Sequence, residues 1–194
     1  MIYINDHIYD FDLAAALEEL SEQRRALALR FRHELGQRTC AAAYLLLCEG
    51  LRKEYGVMEK PQFVYGVHGK PSIAGRPDIH FNLSHCREAV VCALSDRPIG
   101  VDVESPREYK ESLVSYTMNK EEQTEIRASE NPGLAFIRLW TRKEAYVKMT
   151  GQGIEDLKRV LEYSDAKFTT VESSDGRYVY TVCEPLNDTL GTIS

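Results

Sequence analysis

Hydrophobic residues recur at every third or fourth position over residues 12–56, and this spacing predicts helices. The predicted helices are DLAAALEEL, SEQRRALALRFRHEL and QRTCAAAYLLLCEGLRKEYG, and Gly56 is placed to end the last of them. A hairpin is predicted before them, at the N-terminus. The first part of the chain is therefore expected to be mainly helical.

Short apolar or alternating runs follow, and they predict strands in QFVYG, IHFNLSH, AVVCALS and IGVDVE. The segments HGKPSIAGRPD and SDRP separate these runs and have the composition of loops and turns. A second helical block is predicted from about Asn119. In NPGLAFIRLWTRKEAYVKMTGQG, Asn131 is a candidate N-cap, Pro132 occupies the first helical position and Gly151 lies at the end. FTTVES and RYVYTVCE, on either side of SSDG, predict a hairpin.

Helices followed by short strands thus occur twice. The simplest fold class is α+β, with an N-terminal half at residues 1–98 and a C-terminal half at residues 99–194. Each half is expected to combine a small antiparallel sheet with packed helices.

Composition narrows the class of protein. The chain has 194 residues, 43% of them hydrophobic and 28% charged, as in soluble globular proteins. No apolar run approaches the roughly 20 residues that cross a bilayer, and the start MIYINDHIYD lacks the basic residues of a signal peptide. We therefore expect a cytoplasmic protein without a membrane partner. A net charge of −6 argues against non-specific binding to nucleic acid.

The five cysteines are odd in number and contain no C-x-x-C pair. This argues against a disulfide framework and against a zinc knuckle. We expect buried thiols at Cys40, Cys48, Cys86, Cys92 and Cys183.

Two carboxylates lie in the strand IGVDVE. Because side chains alternate along a strand, Asp102 and Glu104 share one face while Ile99, Val101 and Val103 share the other. Taken alone, the pattern is also typical of a half-exposed strand whose polar face is solvated.

A third carboxylate lies on the helix that follows. Trp140, Glu144 and Lys148 are spaced by four residues, so they project from one stripe of that helix. The alternatives are a solvated Glu–Lys pair and a tryptophan that anchors the core. If the strand face and the helix face meet, three carboxylates converge, and a divalent cation would relieve their repulsion. Oxygen ligands suit Mg²⁺ or Mn²⁺, and a nearby lysine suits a phosphate oxygen.

Ser84 and His85 end the strand IHFNLSH, where a hydroxyl and an imidazole can face a ligand. No G-x-S-x-G elbow surrounds Ser84, so a serine hydrolase is disfavoured. The structural alternative for His85 is a core histidine whose hydrogen bonds are satisfied. For Lys70 in HGKP, the alternative is a solvated turn residue.

Together these segments resemble the 4′-phosphopantetheinyl transferases, specifically the monomeric type that activates surfactin synthetase. GKP, FNLSH, IGVDVE and LWTRKEAYVKMTGQGI agree with that family in order and spacing, over roughly residues 38–154. The resemblance implies transfer of the phosphopantetheine arm of coenzyme A to a serine of an apo carrier protein, with release of adenosine 3′,5′-bisphosphate. It also implies Mg²⁺, a pseudo-dimer of two similar α+β halves and a ligand cleft between them.

By the same resemblance, Asp102, Glu104 and Glu144 correspond to the metal ligands. Glu144 also corresponds to the general base for the incoming serine, and Lys148 to the pyrophosphate contact. The residues that correspond to contacts with the 3′-phosphate and adenosine end of coenzyme A are Arg38, Thr39, Lys70, Ser84 and His85.

The sequence departs from the family where related enzymes place lysines for the 3′-phosphate. Gln23 and Ala26 stand there, and Arg24 is one of three arginines nearby. In MNKEEQ, Glu122 falls where the family has an acidic residue near the site.

Two alternatives stay open at this point. One is a metal-dependent phosphohydrolase that uses the same carboxylates on water, and the other is a non-catalytic relative that binds coenzyme A or a carrier protein. The carrier itself, whether of fatty-acid, polyketide or nonribosomal peptide synthesis, is also left open.

Overall fold

The computed structural model describes residues 1–108, 110–153, 157–162 and 165–186. Two predicted parts lie outside the described residues. They are Ile154, at the end of the motif LWTRKEAYVKMTGQGI, and the last eight residues of the predicted C-terminal half. In chain order the strands are β1 (Ile2–Asn5), β2 (Phe63–Tyr65), β3 (Pro71–Ile73), β4 (His80–His85), β5 (Val90–Ser95), β6 (Gly100–Glu104), β7 (Ala166–Glu172) and β8 (Val179–Pro185). The helices are α1 (Leu13–Glu19), α2 (Glu22–Ala28), α3 (Glu34–Tyr55), α4 (Glu111–Thr117), α5 (Lys120–Ala128) and α6 (Pro132–Thr150).

The helix ends follow local rules. The Asp12 carboxylate accepts from the first amides of α1, and Asn131 accepts from Leu134 N at the start of α6. Gly56 and Gly151 end α3 and α6 in the left-handed conformation, at φ 65° and 69°. The predicted N-cap Asn131 and the predicted helix ends at Gly56 and Gly151 are confirmed.

The predicted single helix over SEQRRALALRFRHEL is wrong, because α2 ends at Ala28 and α3 begins at Glu34. The Gln37 side chain donates to Phe31 O at 3.0 Å and holds the intervening segment. The Phe31 ring lies so close to Gly36 that a Cβ there would be 2.8 Å from Cδ1 of the ring. The break allows α2 to turn back and pack against α3.

The first sheet is antiparallel and has the strand order β1-β5-β4. The predicted N-terminal hairpin is wrong, since β1 pairs with β5, with Ile2 opposite Ala93. β2 and β3 form a separate hairpin, of which the sequence pattern predicted only β2. We call residues 66–70, which connect these two strands, the hairpin tip.

The second sheet is also antiparallel, with the order β6-β8-β7, and the predicted hairpin around SSDG is confirmed as β7–β8. Helix α6 packs on β6 and β8. Gly100 permits this close packing, because a Cβ there would lie 1.9 Å from Ala145 O. The fold class α+β with small antiparallel sheets is thereby confirmed.

The two sheets meet where β4 lies beside β6. Backbone pairing is replaced there by side chains, since Asn82 Oδ1 accepts from Val101 N at 3.0 Å and Ser84 Oγ accepts from Val103 N at 3.2 Å. We call this pair of contacts the Asn82–Ser84 clasp. It fixes the register of β6 against β4. The two acceptor side chains are two residues apart on β4, and the two backbone donors that they meet are two residues apart on β6.

Cys40, Cys92 and Cys183 are buried, as predicted, whereas Cys48 and Cys86 are half-buried. All five cysteines are free. Among the described residues, no helix combines the length and the hydropathy that a bilayer-spanning segment requires.

Candidate active site

A cavity of about 350 Å³ opens where β4, β6 and α6 meet. The structure therefore brings the carboxylate face of the strand and the Trp140 stripe of the helix together. The described residues that line the cavity are Leu83, Ser84, His85, Asp102, Glu104, Trp140, Glu144 and Lys148.

Asp102 is the best-connected carboxylate of the cavity. Its Oδ1 atom accepts from Lys148 Nζ at 2.6 Å and from Ser84 Oγ at 2.9 Å. Its Oδ2 atom is buried and has no hydrogen-bond partner among the described residues. Buried polar atoms are nearly always hydrogen-bonded, so an unpaired carboxylate oxygen at a cavity wall is a candidate ligand atom.

Glu104 and Glu144 are half-buried and line the same cavity as Asp102. Burial raises the pKa of both carboxyls, and the nearby charge of Asp102 raises it further. Lys148 opposes this effect on the pKa of each group, and Arg107 opposes it for Glu104. The three carboxylates thus repel one another across one cavity.

The donor set fits a divalent cation in its chemistry, because it offers three carboxylates and one unpaired buried oxygen. Within the described ranges, however, no group of three or more His, Cys, Asp or Glu side chains is arranged to hold a metal ion as it stands. Lys148 takes one oxygen of Asp102 in this arrangement. Ligation by all three carboxylates therefore requires a rearrangement of these side chains.

Ser84 is buried and its hydroxyl is fully engaged. It donates to Asp102, and it accepts from Val103 N and from Lys148 Nζ at 3.0 Å. These contacts use the hydrogen-bonding capacity of a hydroxyl group. Ser84 therefore holds Asp102 and Lys148 in place.

His85 ends β4 and lines the cavity. Surrounding protein atoms lower its pKa by desolvation, and the cations Lys148 and Arg24 lower it further, against the opposing charge of Asp102. The lowered pKa favours the neutral imidazole, which can act as a donor or an acceptor.

The sequence pattern did not single out Arg24 as a site residue, yet it lies near His85. Its guanidinium lies 5.7 Å from the centroid of the Phe63 ring, beside a second cavity of about 230 Å³. Its Nε atom is buried and unpaired within the described part of the chain. The run of arginines in SEQRRALALR was the available signal, but only the fold selects the one that points inward.

Arg38 and Thr39 are engaged elsewhere on α3. Arg38 binds Glu34 at 2.6 Å and the Phe11 carbonyl at 2.8 Å, and Thr39 Oγ1 donates to Leu35 O at 3.0 Å. Neither residue is among those that line the site cavity. These contacts tie the N-terminal segment to α3.

Lys70 also lies outside the set of cavity-lining residues. Its ammonium group donates to Met149 O, at the end of α6, over 2.6 Å. Burial lowers its pKa. The structure thus directs this lysine to a helix terminus.

Glu122 is buried and does not line the site cavity. It pairs with Lys143 at 2.7 Å and accepts from Asn119 N at 2.8 Å in the capping box of α5. Lys143 precedes Glu144 in the motif TRKEAY, but nothing in the sequence spacing indicates which carboxylate it meets.

Comparison with known proteins identifies relatives of this chain. The family model of the 4′-phosphopantetheinyl transferase superfamily matches residues 98–187. The chain is 31% identical over 161 residues to the 4′-phosphopantetheinyl transferase psf-1 of Bacillus pumilus, with 81% of this chain and 66% of that protein covered. It is 35% identical to the transferase HetI of Nostoc sp. (77% and 65% covered) and 28% identical to the transferase Sfp of Bacillus subtilis (70% and 62% covered).

The chain belongs to the 4′-phosphopantetheinyl transferase superfamily. The predicted membership is confirmed, and the match to Sfp supports the type of transferase that the motifs resembled. The chain spans slightly less than two thirds of the length of these curated relatives.

Proposed function

We propose that this protein transfers the 4′-phosphopantetheine arm of coenzyme A to a serine of an apo acyl or peptidyl carrier protein and releases adenosine 3′,5′-bisphosphate. The observation that carries the proposal is the cavity in which three carboxylates and Lys148 converge, in a chain of this superfamily. Carboxylates that hold a cation, together with an ammonium group, form a site for a pyrophosphate.

In this proposal Asp102, Glu104 and Glu144 hold Mg²⁺, with Mn²⁺ as a substitute. The unpaired Oδ2 atom of Asp102 and the raised pKa values of both glutamates support this assignment, since a cation satisfies the oxygen and relieves the repulsion. The bound ion would neutralise negative charge on the phosphate oxygens during transfer.

Lys148 and Glu144 have separate roles in the proposed reaction. Lys148 is held at the cavity by Asp102 and Ser84, so its ammonium group is placed to donate to a pyrophosphate oxygen. Glu144 is the proposed general base, because its carboxylate lines the same cavity and can accept a proton from the carrier's serine hydroxyl. The serine oxygen then attacks the β-phosphorus and the adenosine bisphosphate leaves.

The nucleotide end of coenzyme A is proposed to lie near His85. Arg24 supplies a cation on that side of the molecule, and its Nε atom has no hydrogen-bond partner among the described residues. Related enzymes have lysines there that this chain lacks. Ser84 contributes indirectly by holding Lys148. Contacts of Arg38 and Thr39 with coenzyme A stay predictions.

Other parts of the proposal concern the whole molecule. They are a monomer in the cytoplasm, a carrier protein as the macromolecular partner, and a pseudo-dimer whose halves at residues 1–98 and 99–194 enclose the ligand cleft. The last point is supported by the cavity wall, to which β4 contributes from one half and β6 and α6 from the other.

Intact-mass spectrometry of apo carrier proteins tests this function. Fatty-acid, polyketide and peptidyl carriers are incubated with the protein, coenzyme A and Mg²⁺, and at least one is expected to gain the mass of the phosphopantetheine arm. An Asp102→Asn variant and a carrier whose serine is replaced by alanine are the controls. Release of adenosine 3′,5′-bisphosphate without a carrier would indicate the phosphohydrolase instead, and absence of both products would contradict the proposal.

A further inference from the structure

Lys70 in the hairpin tip contacts the last turn of α6. Its Nζ atom donates to Met149 O at 2.6 Å, across 79 positions of sequence. The last carbonyls of a helix have no partner within the helix, and a cation is favourable near that end of the helix dipole. Lys70 therefore satisfies a carbonyl at the end of the helix that carries Glu144 and Lys148.

Gly151, the first residue after α6, makes room for this contact. A Cβ on Gly151 would lie 3.0 Å from Lys70 Cδ, and one on Gly153 would lie 3.9 Å from His68 Nδ1. Both glycines have positive φ, 69° and 78°. The two motifs GKP and GQG thus form one contact, in which the aliphatic stem of Lys70 packs where a larger residue would not fit.

The contact between Lys70 and Met149 affects the cavity through Lys148. Lys148 immediately precedes Met149, and its ammonium group donates to Asp102 at 2.6 Å and to Ser84 at 3.0 Å. A carbonyl held at position 149 limits fraying of the turn from which Lys148 projects. The ammonium of Lys70 itself is half-buried against backbone and is not among the groups that line the cavity.

We propose that Lys70 is a positioning residue that holds the C-terminal turn of α6, and with it Lys148, in place. In this proposal Lys70 does not contact the 3′-phosphate of coenzyme A. The pinning follows from the contact alone, whereas its effect on transfer rests on the proposed function.

Hydrogen–deuterium exchange tests the pinning without reference to activity. Lys70→Met keeps most of the stem that packs on Gly151 but removes the donor, so amides in residues 146–153 are expected to exchange faster than in the wild type. Lys70→Arg, which keeps a donor, is expected to restore slow exchange. His85→Ala is the matched control and should leave exchange in this segment unchanged. If Lys70→Met does not fold, Lys70→Gln takes its place.

Kinetics with coenzyme A and dephospho-coenzyme A test whether Lys70 contacts the 3′-phosphate. Lys70→Met is expected to lower kcat about tenfold with both substrates, because a displaced Lys148 affects each equally. The ratio of their kcat/KM values should stay at the wild-type value. His85→Ala is expected to reduce that ratio, since it removes a group near the phosphate.

Either of two results overturns the inference: unchanged exchange in Lys70→Met, or a ratio reduced as in His85→Ala. A wild-type protein that transfers nothing would contradict the proposed function, while the exchange experiment would still decide whether Lys70 pins α6.

Discussion

Helix α6 contributes the lysines of two lysine–carboxylate pairs. The pairs differ in whether any of their polar atoms stays available to a ligand. Lys143 binds Glu122 at 2.7 Å, and Lys148, five residues further along the helix, binds Asp102 at 2.6 Å. The two pairs have nearly the same length and chemistry. Their surroundings decide that one is structural and the other is available to a ligand.

The Lys143–Glu122 pair is closed. The Lys143 side chain is fully buried and also donates to Leu157 O at 2.7 Å, while the Glu122 oxygen that it binds accepts from Asn119 N. The pair therefore ties α5, α6 and the segment after α6 together. A buried pair whose groups are satisfied by protein has little left to offer a ligand.

The Lys148–Asp102 pair is open. The Lys148 side chain is 29% exposed at a cavity, and Asp102 keeps one oxygen without a partner in the described structure. A charge pair on its own is thus a poor guide to function. What distinguishes a candidate site is a buried polar atom that the protein does not satisfy.

Removal of each lysine should separate the two pairs most clearly. Lys143→Met is expected to lower the free energy of unfolding by about 3–5 kcal/mol, because Glu122 is left buried without a cation. Lys148→Met should cost less, since the Lys148 side chain is 29% exposed at the cavity and Ser84 still donates to Asp102. Urea unfolding measures both, with Lys53→Met in the exposed Lys53–Glu49 pair as the control, expected to cost at most about 1 kcal/mol. Equal losses for Lys143→Met and Lys148→Met would refute the distinction.

Isosteric changes of the carboxylates should give the opposite order in activity. Asp102→Asn is expected to lower the transfer rate at least about a hundredfold, equivalent to about 2.7 kcal/mol, with circular dichroism unchanged. Glu122→Gln, measured at a temperature where it is folded, should lose less than about tenfold. Mass spectrometry of the carrier measures both rates, and an Asp102→Asn enzyme as fast as the wild type would remove this residue from the site.

The Asn82–Ser84 clasp connects the open pair to the fold. Asn82→Ala removes the acceptor for Val101 N and leaves a buried donor unpaired, so we expect a loss of about 1–3 kcal/mol in unfolding free energy. The control is Asn5→Ala, whose side chain accepts only the exposed amide of His7 and which should cost about 0.5 kcal/mol or less. Similar losses in the two variants would show that the clasp adds nothing to stability.

The smallest expected effect concerns pH. The pKa values of Glu104 and Glu144 are raised in the folded state above the usual 4.5, so these groups bind protons more tightly when folded. Their contribution to stability is present below pH 4.5 and is lost as pH rises through the raised pKa values. The double variant Glu104→Gln/Glu144→Gln should therefore be more stable than the wild type at pH 7, by about 0.5 kcal/mol because solvent screens these half-exposed groups.

Thermal unfolding of that variant over about three pH units, from about pH 4 to about pH 7, checks the sign. The gain over the wild type should shrink toward the acidic end. Added Mg²⁺ should stabilise the wild type more than the variant. A variant that is less stable than the wild type at pH 7 would mean that the carboxylates do not repel one another.

Local features of the sequence determined the helix ends and the last hairpin. Asp12 and Asn131 cap helices through side chains that bond to amides two or three residues away, and Gly56 and Gly151 adopt the conformation that ends a helix. The spacing of the acidic residues fixed their faces as well, because strand and helix periods are local geometry. For the same reason the association of Asp102, Glu104, Glu144 and Lys148 was predictable once the two faces were assumed to meet.

Partner choice across long sequence separations was decided only by the tertiary structure. The pairing of β1 with β5, the contact of Lys70 with Met149 and the ion pair of Lys143 with Glu122 all join residues that no periodicity relates. Each lysine and carboxylate has the same intrinsic chemistry wherever it stands. Which one is satisfied by protein and which one keeps an oxygen for a ligand depends on how the packed elements bury it, and burial is a property of the whole fold.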